Sequence, residues 1–266
     1  MNQALVKNKT MKWLWAVLGA VLISTFFIFL PSIKNDVVFS QQRKLSVGEY
    51  RQQALAAEAK KDLAQAIWNF RQALELDKDD KVALAHLPNL YLMTGQLKQA
   101  LEYAEKRVQA DPQASAGYFF LGMAYQMLGQ NDKARESFHK AVEMEPKYAD
   151  AFFNLGFLSE SDGHLTEAIE YYKEALDADP KHAKAAYNLG NAYAGLERNE
   201  DAIGAYKIAV ANDPNYMDAF VNLSILLTQA EDYQGAIKYL DEARILGYDA
   251  PEAYLKSLEQ YRLNIK

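Results

Sequence analysis

The stretch ADAFFNLGFLSESDGHLTEAIEYYKEALDADPKH, residues 149–182, decides the fold because its pattern recurs every 34 residues without insertion or deletion. A fixed period of this length is the signature of a repeat protein. Its informative positions carry Phe152, Leu155, Gly156, Gly163, Ala168, Tyr172, Ala175 and Pro180. The first alanine position recurs six times at a spacing of 34, as Ala66, Ala100, Ala134, Ala168, Ala202 and Ala236. The second alanine position recurs as Ala73, Ala141, Ala175, Ala209 and Ala243.

Each unit predicts two amphipathic helices, because its apolar residues follow helical spacing from Phe152 to Leu155 and again from Ile169 to Leu176. A glycine on the first helix predicts that the helix lies close to its partner, at the place where the alanines of the second helix are expected. This position holds Gly122, Gly156 and Gly190. Proline lacks an N–H and disfavours helix in the residue before it, so it marks the boundary between units. The boundary prolines are Pro146, Pro180 and Pro214.

At these residues the chain resembles the tetratricopeptide repeat family. The resemblance implies an all-α, right-handed superhelical solenoid of six helix hairpins, with a C-terminal capping helix at 251–266. The six repeats are expected at 47–80, 81–114, 115–148, 149–182, 183–216 and 217–250. The terminal repeats depart from the pattern at Lys78, Ser224, Leu240 and Tyr248, as expected where repeats face solvent. The second repeat departs further, with Pro88 in its first helix and Arg107 in the second alanine series.

An apolar segment precedes the repeats. Residues Trp13 to Leu30 form 18 consecutive residues without a charge, and as a helix they would span about 27 Å, close to a hydrocarbon core of about 30 Å. We predict a basic tail at 1–12, one transmembrane helix at 13–30 and a linker at 31–46. A cleaved signal sequence is the alternative, with a cut after Ser40. A buried helix of the soluble fold is a third interpretation.

The orientation of this segment follows from flanking lysines. Lys7, Lys9 and Lys12 precede it closely and favour a cytoplasmic N-terminus, with the repeats on the periplasmic or extracytoplasmic side. Basic residues at Lys34, Arg43 and Lys44 oppose this orientation.

Composition argues against several classes of function. The chain contains no cysteine, which excludes disulfides and cysteine-ligated metals. Without residues 1–46 it carries 23 basic and 34 acidic residues, a net charge of −11 that disfavours nucleic-acid binding. No catalytic motif is found, and the histidines lack metal-ligand spacing and are expected at the surface. They are His86, His139, His164 and His182. We therefore predict no enzyme activity, cofactor or metal.

The resemblance implies that first helices line a concave groove, with the fifth, sixth and ninth positions of each unit facing a partner. Aromatic residues there suggest an interaction site, and an Asn amide can donate to and accept from a peptide backbone. Packing between repeats is the alternative for part of this set. The predicted partner-binding residues are Phe119, Phe120, Met123, Phe153, Asn154, Phe157, Tyr187, Asn188, Asn191 and Asn222.

One known mode of recognition in the family is not expected here. Members that bind chaperone tails hold two carboxylates with Lys, Asn and Arg at set groove positions. The corresponding positions of this chain carry Ala85, Asn89, Phe120, Asp150 and Asn154. The cationic members of the clamp are therefore missing.

These observations predict a membrane-anchored scaffold that binds a protein or peptide in its groove and assists assembly of a membrane-associated complex. One alternative is a secreted or periplasmic interaction protein released by signal cleavage. Another is a non-catalytic regulatory subunit of an envelope enzyme.

Overall fold

The computed structural model describes residues 45–262, which form thirteen α-helices. The predicted all-α class is confirmed for this part of the chain, which contains no strand. The helices are α1 Val47–Ala59, α2 Leu63–Leu76, α3 Lys81–Met93, α4 Leu97–Ala110, α5 Ser115–Met127, α6 Asn131–Met144, α7 Ala149–Ser161, α8 Leu165–Ala178, α9 Ala183–Gly195, α10 Asn199–Asn212, α11 Met217–Gln229, α12 Tyr233–Ile245 and α13 Glu252–Arg262.

Contacts divide the chain into two units, residues 1–49 and 50–266. In the first unit only residues 45–49 are described, and there Ser46 caps the start of α1. Its Oγ accepts from the backbone N–H of Glu49 at 3.3 Å, and its own backbone N–H donates to Oε2 of Glu49 at 2.8 Å. The predicted basic tail and transmembrane segment lie outside the described residues, as does the linker up to residue 44. Among the helices of residues 45–262, none is long and apolar enough to cross a membrane.

The second unit repeats one hairpin geometry. Its odd-numbered helices from α3 to α11 begin 34 residues apart, at residues 81, 115, 149, 183 and 217. Both alanine series are completely buried wherever they hold alanine, at 0% exposure for each member from Ala66 to Ala243. A side chain no larger than a methyl group therefore separates the helix backbones at the first alanine position of every hairpin, and at the second position of every hairpin except the one that carries Arg107.

The helix glycines permit a close approach, as predicted. A Cβ atom built on Gly156 would lie 2.7 Å from ring carbons of Tyr172. The corresponding distance is 2.5 Å between Gly190 and Tyr206. These distances are shorter than any normal carbon contact, so each aromatic ring of a second helix lies directly against the backbone of the first.

The turn inside each hairpin places one residue in the left-handed region. Gly163 has a φ of 81°, and the N–H of the following His164 donates to the carbonyl of Ser159 at 2.8 Å. This bond closes the C-terminal end of α7. Glu197 adopts the same conformation with a φ of 58°, although it has a side chain. The hairpin geometry therefore persists where the glycine is absent.

Helix α3 continues through Pro88 from Lys81 to Met93. Proline removes one backbone hydrogen bond from a helix interior. A neighbouring carbonyl, that of Ala85, accepts a hydrogen bond at 3.0 Å from Nη1 of Arg107 on α4. Arg107 therefore bonds to α3 about one helical turn before Pro88.

The last helix, α13, packs on the final hairpin. Its Leu258 is fully buried, and the hydroxyl of Tyr254 lies 2.7 Å from Oγ of Ser224 on α11. The ring of Tyr261 stacks on Tyr233 of α12 at a centroid distance of 3.7 Å. Through these hydrogen bonds and apolar contacts, α13 covers the face of α11 and α12 on which a further hairpin would pack.

Candidate functional site

The first helices of the hairpins carry a row of side chains at the ninth position of each unit, which we call the first-helix row. Three of its members are large, apolar and well exposed: Leu55 at 41%, Phe157 at 44% and Ile225 at 38%. Such residues cost little when scattered but indicate an interaction surface when they recur on one face. The row comprises Leu55, Asn89, Met123, Phe157, Asn191 and Ile225.

The aromatic residues at the fifth position are partly buried, unlike Phe157. Each ring packs against the residue that immediately precedes the next first helix. The centroid distance is 5.0 Å for Phe119 and Tyr148, and 5.0 Å for Phe153 and His182. The third pair, Tyr187 and Tyr216, is separated by 4.7 Å. Sequence reasoning placed these three rings among the groove residues, and the structure gives each of them a packing role between hairpins.

The same pair of positions holds an ion pair in the first hairpin. Arg51 contacts the carboxylate of Asp80, which is 1% exposed. Asp80 also caps α3, since its Oδ1 accepts from the N–H of Ala83 at 2.7 Å. The repeat pattern did not predict this pair, because Arg51 and Asp80 differ chemically from the aromatic residues that occupy these positions in the third to fifth hairpins.

The asparagines at the sixth position are partly engaged within the protein. Asn154 donates to the carbonyl of Asp150 in its own helix at 2.7 Å. Asn188 donates to the hydroxyl of Tyr172 at 3.4 Å, a long and weak bond. An amide group has two N–H donors and one acceptor oxygen, so these bonds leave hydrogen-bonding capacity on each side chain.

Asn222 belongs to a network that joins α9 to α11. Its Nδ2 lies 3.4 Å from the hydroxyl of Tyr187 and 3.4 Å from Oδ1 of Asn191. The hydroxyl of Tyr206 donates to the same Oδ1 at 2.7 Å. Burial raises the pKa of Tyr206 to about 12, so its hydroxyl stays protonated and remains a donor at neutral pH. The network brings three predicted site residues together: Tyr187, Asn191 and Asn222.

The remaining two predicted residues lie on α5. Phe120 is partly buried and meets Phe119 edge-on at a centroid distance of 5.4 Å. Met123 is partly buried and packs against the apolar cluster that contains Phe138. Of the ten predicted residues, Phe157 is therefore the most open to a partner.

His182 has a defined structural role rather than the free surface position expected for it. Its Nδ1 accepts from the N–H of Ala185 at 3.1 Å and caps α9. Its Nε2 therefore carries the proton and donates to Oδ1 of Asp150 at 3.3 Å. That hydrogen bond is the main cause that lowers the pKa of Asp150. The carboxylate of Asp150 consequently remains a fixed negative charge beside the first-helix row.

The part of the chain that the structure describes holds no group of three or more His, Asp or Glu side chains arranged to bind a metal ion. Two tyrosine hydroxyls near the first-helix row, those of Tyr172 and Tyr206, donate to a carboxylate oxygen and an amide oxygen. Tyr172 donates to Oε2 of Glu160 at 2.5 Å. The arrangement is suited to contacting another chain through exposed apolar side chains and amide groups.

Comparisons with known proteins agree with the repeat geometry. A family model described as tetratricopeptide repeat matches residues 119–183 and 187–253. No protein in a search of curated sequences matches the chain.

Several solved structures are similar in fold. One is the MamA protein, 26% identical, with a TM-score of 0.55, covering 63% of this chain and 92% of that one. Another is YrrB, described as having an unusual peptide-binding site, 22% identical, with a TM-score of 0.54, covering 74% and 98%. A third is PilF of Pseudomonas aeruginosa, 20% identical, with a TM-score of 0.68, covering 80% and 97%.

Proposed function

Because the chain carries tetratricopeptide repeats, we propose that it is a membrane-anchored scaffold whose first-helix row binds a protein or peptide partner. Repeats of this family mediate protein–protein interactions. In this role the protein assists the assembly of a membrane-associated complex and performs no catalysis itself. The observation that carries the proposal is the recurrence of exposed Leu55, Phe157 and Ile225 along one row.

The energetics of the row support binding of another chain. Completely burying a Phe or Ile side chain contributes roughly 1.5 to 3 kcal/mol. Since Phe157 and Ile225 are each somewhat less than half exposed, covering either one contributes about 1 kcal/mol. Asn154 and Asn188, beside the row, retain donors and acceptors that an extended peptide backbone can use.

The membrane anchor in this proposal is the uncharged segment Trp13–Leu30. A single-pass anchor with a cytoplasmic N-terminus places the repeats on the extracytoplasmic side. Tethering near the bilayer raises the effective concentration of a membrane-associated partner, so each individual contact can be weak. Affinity therefore arises from the combination of the row and the tether.

The first prediction concerns partner capture. Full-length protein with Phe157→Ala and Ile225→Ala is expected to bind its partner about thirtyfold more weakly than the wild type and to recover correspondingly less crosslinked partner, because two apolar contacts of about 1 kcal/mol each are lost. Crosslinking in cells followed by mass spectrometry measures the recovery. Ile208→Ala is the matched control, since Ile208 is 43% exposed but lies on a second helix, α10. Equal loss in the control and the double variant would contradict the proposal.

The second prediction concerns topology. Because the chain contains no cysteine, a single introduced cysteine is the one thiol that a maleimide can label, and its labelling shows on which side of the membrane that residue lies. In intact cells a membrane-impermeant maleimide is expected to label Lys256→Cys and to leave Asn8→Cys unlabelled. Both variants are expected to remain in the membrane pellet after an alkaline carbonate wash. The reverse labelling would contradict the orientation, and release by carbonate would contradict the anchor.

A further inference from the structure

Arg107 occupies a position that is fully buried alanine in every other hairpin. The second alanine series is 0% exposed at Ala73, Ala141, Ala175, Ala209 and Ala243. A guanidinium on a three-carbon stem cannot remain in a space made for a methyl group. The side chain of Arg107 must therefore extend out of the helix interface.

The structure shows where Arg107 extends. Residue 117 is a glycine, and a Cβ there would lie 3.6 Å from Cγ of Arg107, so the stem passes along this backbone. At its end, Nη1 donates to the carbonyl of Ala85 on α3 at 3.0 Å. The guanidinium carbon lies 5.5 Å from the ring centroid of Phe120 on α5. The cationic group thus emerges between two first helices, beside the predicted groove residue Phe120.

Small residues at the hairpin boundary are consistent with this path. In three other hairpins the fifth position and the residue before the next first helix carry packed rings, as at Phe119 and Tyr148. In the second hairpin the corresponding residues are Ala85 and Ala114. The cationic group of Arg107 therefore lies at a boundary that has no aromatic pair, unlike the corresponding boundary of the three hairpins that follow.

Among residues 45–262 no carboxylate forms a salt bridge with the guanidinium of Arg107, and the hydrogen-bond acceptor of this group is the carbonyl of Ala85. Arginine offers five N–H donors. The carboxylate of Asp111, whose charge acts on Arg107, is itself paired with Nζ of Lys81 at 3.4 Å. Burial raises the pKa of Tyr148 to about 12, so that neighbour is neutral. A partly buried positive charge thus has a carboxylate nearby but none in direct contact.

We propose that Arg107 receives a carboxylate of the bound partner, namely an Asp or Glu side chain of the peptide segment that lies along the first-helix row. This inference rests on the proposed binding function and specifies the chemistry of the partner. The planar fork of a guanidinium matches a carboxylate with two parallel hydrogen bonds. Phe120 covers one face of the guanidinium and reduces its hydration, which strengthens those bonds.

A single carboxylate is the occupant that the charge distribution favours. The repeat region carries a net charge of −11, so an extended polyanion such as nucleic acid is repelled overall. In a peptide segment with one acidic residue and apolar neighbours, the carboxylate pairs with Arg107 and the apolar side chains cover the exposed row. The contact differs from a two-carboxylate clamp, because its one cation comes from a second helix, α4.

Peptide selection on full-length protein in detergent micelles provides the first test. Short random displayed peptides are selected separately on the wild type, Arg107→Met and Arg71→Met, the last being an exposed arginine of α2 that serves as control. The wild type and Arg71→Met are expected to enrich Asp and Glu at one fixed distance from an apolar residue. Arg107→Met is expected to lose this enrichment. Thermal unfolding of each variant establishes that it is folded.

A double-mutant cycle then tests direct pairing. The selected acidic residue is replaced by its amide in a fluorescein-labelled peptide, and Kd is measured by fluorescence anisotropy. The replacement is expected to weaken wild-type binding about tenfold or more and binding to Arg107→Met less than about twofold. A purely structural Arg107 would give the same ratio for both proteins, which would overturn the inference.

Further outcomes separate this inference from the proposed function. If Phe157→Ala weakens binding about fivefold but the cycle shows no coupling, the row binds peptides and the assignment of Arg107 is wrong. If a phosphoserine peptide binds more than about tenfold tighter than the Asp peptide through Arg107, the anion is a phosphate and the carboxylate assignment is wrong. If no peptide discriminates the wild type from Phe157→Ala, both proposals fail.

Discussion

Replacing Leu258 with Ala is expected to lower the free energy of unfolding of the C-terminal hairpin by about 3 kcal/mol, the usual cost of removing a fully buried Leu side chain. Leu258 is 0% exposed and belongs to the same apolar cluster as Leu223 and Leu240. The residue is the main apolar contact between α13 and the last hairpin. Its truncation leaves a cavity and loosens the helix that covers α11 and α12.

Hydrogen exchange measured by mass spectrometry gives the local result. In repeat proteins each unit contacts only its neighbours, so amides of α11 and α12 should exchange faster while those of α5 and α6 stay unchanged. Lys256→Ala is the control on the same helix, because Lys256 is exposed and pairs only with Glu252 at 2.6 Å. An equal effect of both substitutions, or none from Leu258→Ala, would show that α13 does not stabilise the final hairpin.

Gly190→Ala is expected to destabilise the protein by about 1 to 3 kcal/mol, although Ala is ordinarily the better helix former. The added Cβ would lie 2.5 Å from the ring of Tyr206, which is 2% exposed and cannot swing into solvent without losing its packing. The hydroxyl of Tyr206 is also held by Asn191 at 2.7 Å. Because the ring cannot move away, the added Cβ must push helices α9 and α10 apart.

Gly204→Ala provides a control with the opposite sign. Gly204 lies inside α10, and a Cβ there would meet nothing within 4 Å. Without a clash, the lower backbone entropy of Ala in the unfolded chain is expected to stabilise the protein by about 0.5 to 1 kcal/mol. Urea denaturation of both variants measures the two changes. Stabilisation by Gly190→Ala would contradict the close packing of Gly190 on Tyr206.

Much of the hairpin geometry was predictable because each unit repeats the same contacts. A position that has room only for a methyl group recurs with the period of the structure. The alanine series in the sequence therefore indicated buried contacts between helices. The helix glycines followed from the same reasoning. Both predictions are confirmed by the complete burial of Ala168 and by the distance from Gly156 to Tyr172.

The partners of individual side chains were less predictable, because a repeat position specifies a helix face and not the atom opposite it. Phe153 and Phe157 are four residues apart on α7, yet one stacks on His182 and the other is 44% exposed. Arg107 was visible as a departure from the alanine series. Its position beside Phe120 depends on Gly117 and Ala85, which belong to other helices.

The most direct test of the binding proposal places a photoreactive phenylalanine analogue at position 157 or at position 208 of the full-length protein in cells. The native residues are almost equally exposed, at 44% for Phe157 and 43% for Ile208, but lie on a first and a second helix. The proposal predicts a discrete crosslinked adduct from position 157 and none from position 208. An adduct from position 208 alone would contradict binding along the first-helix row.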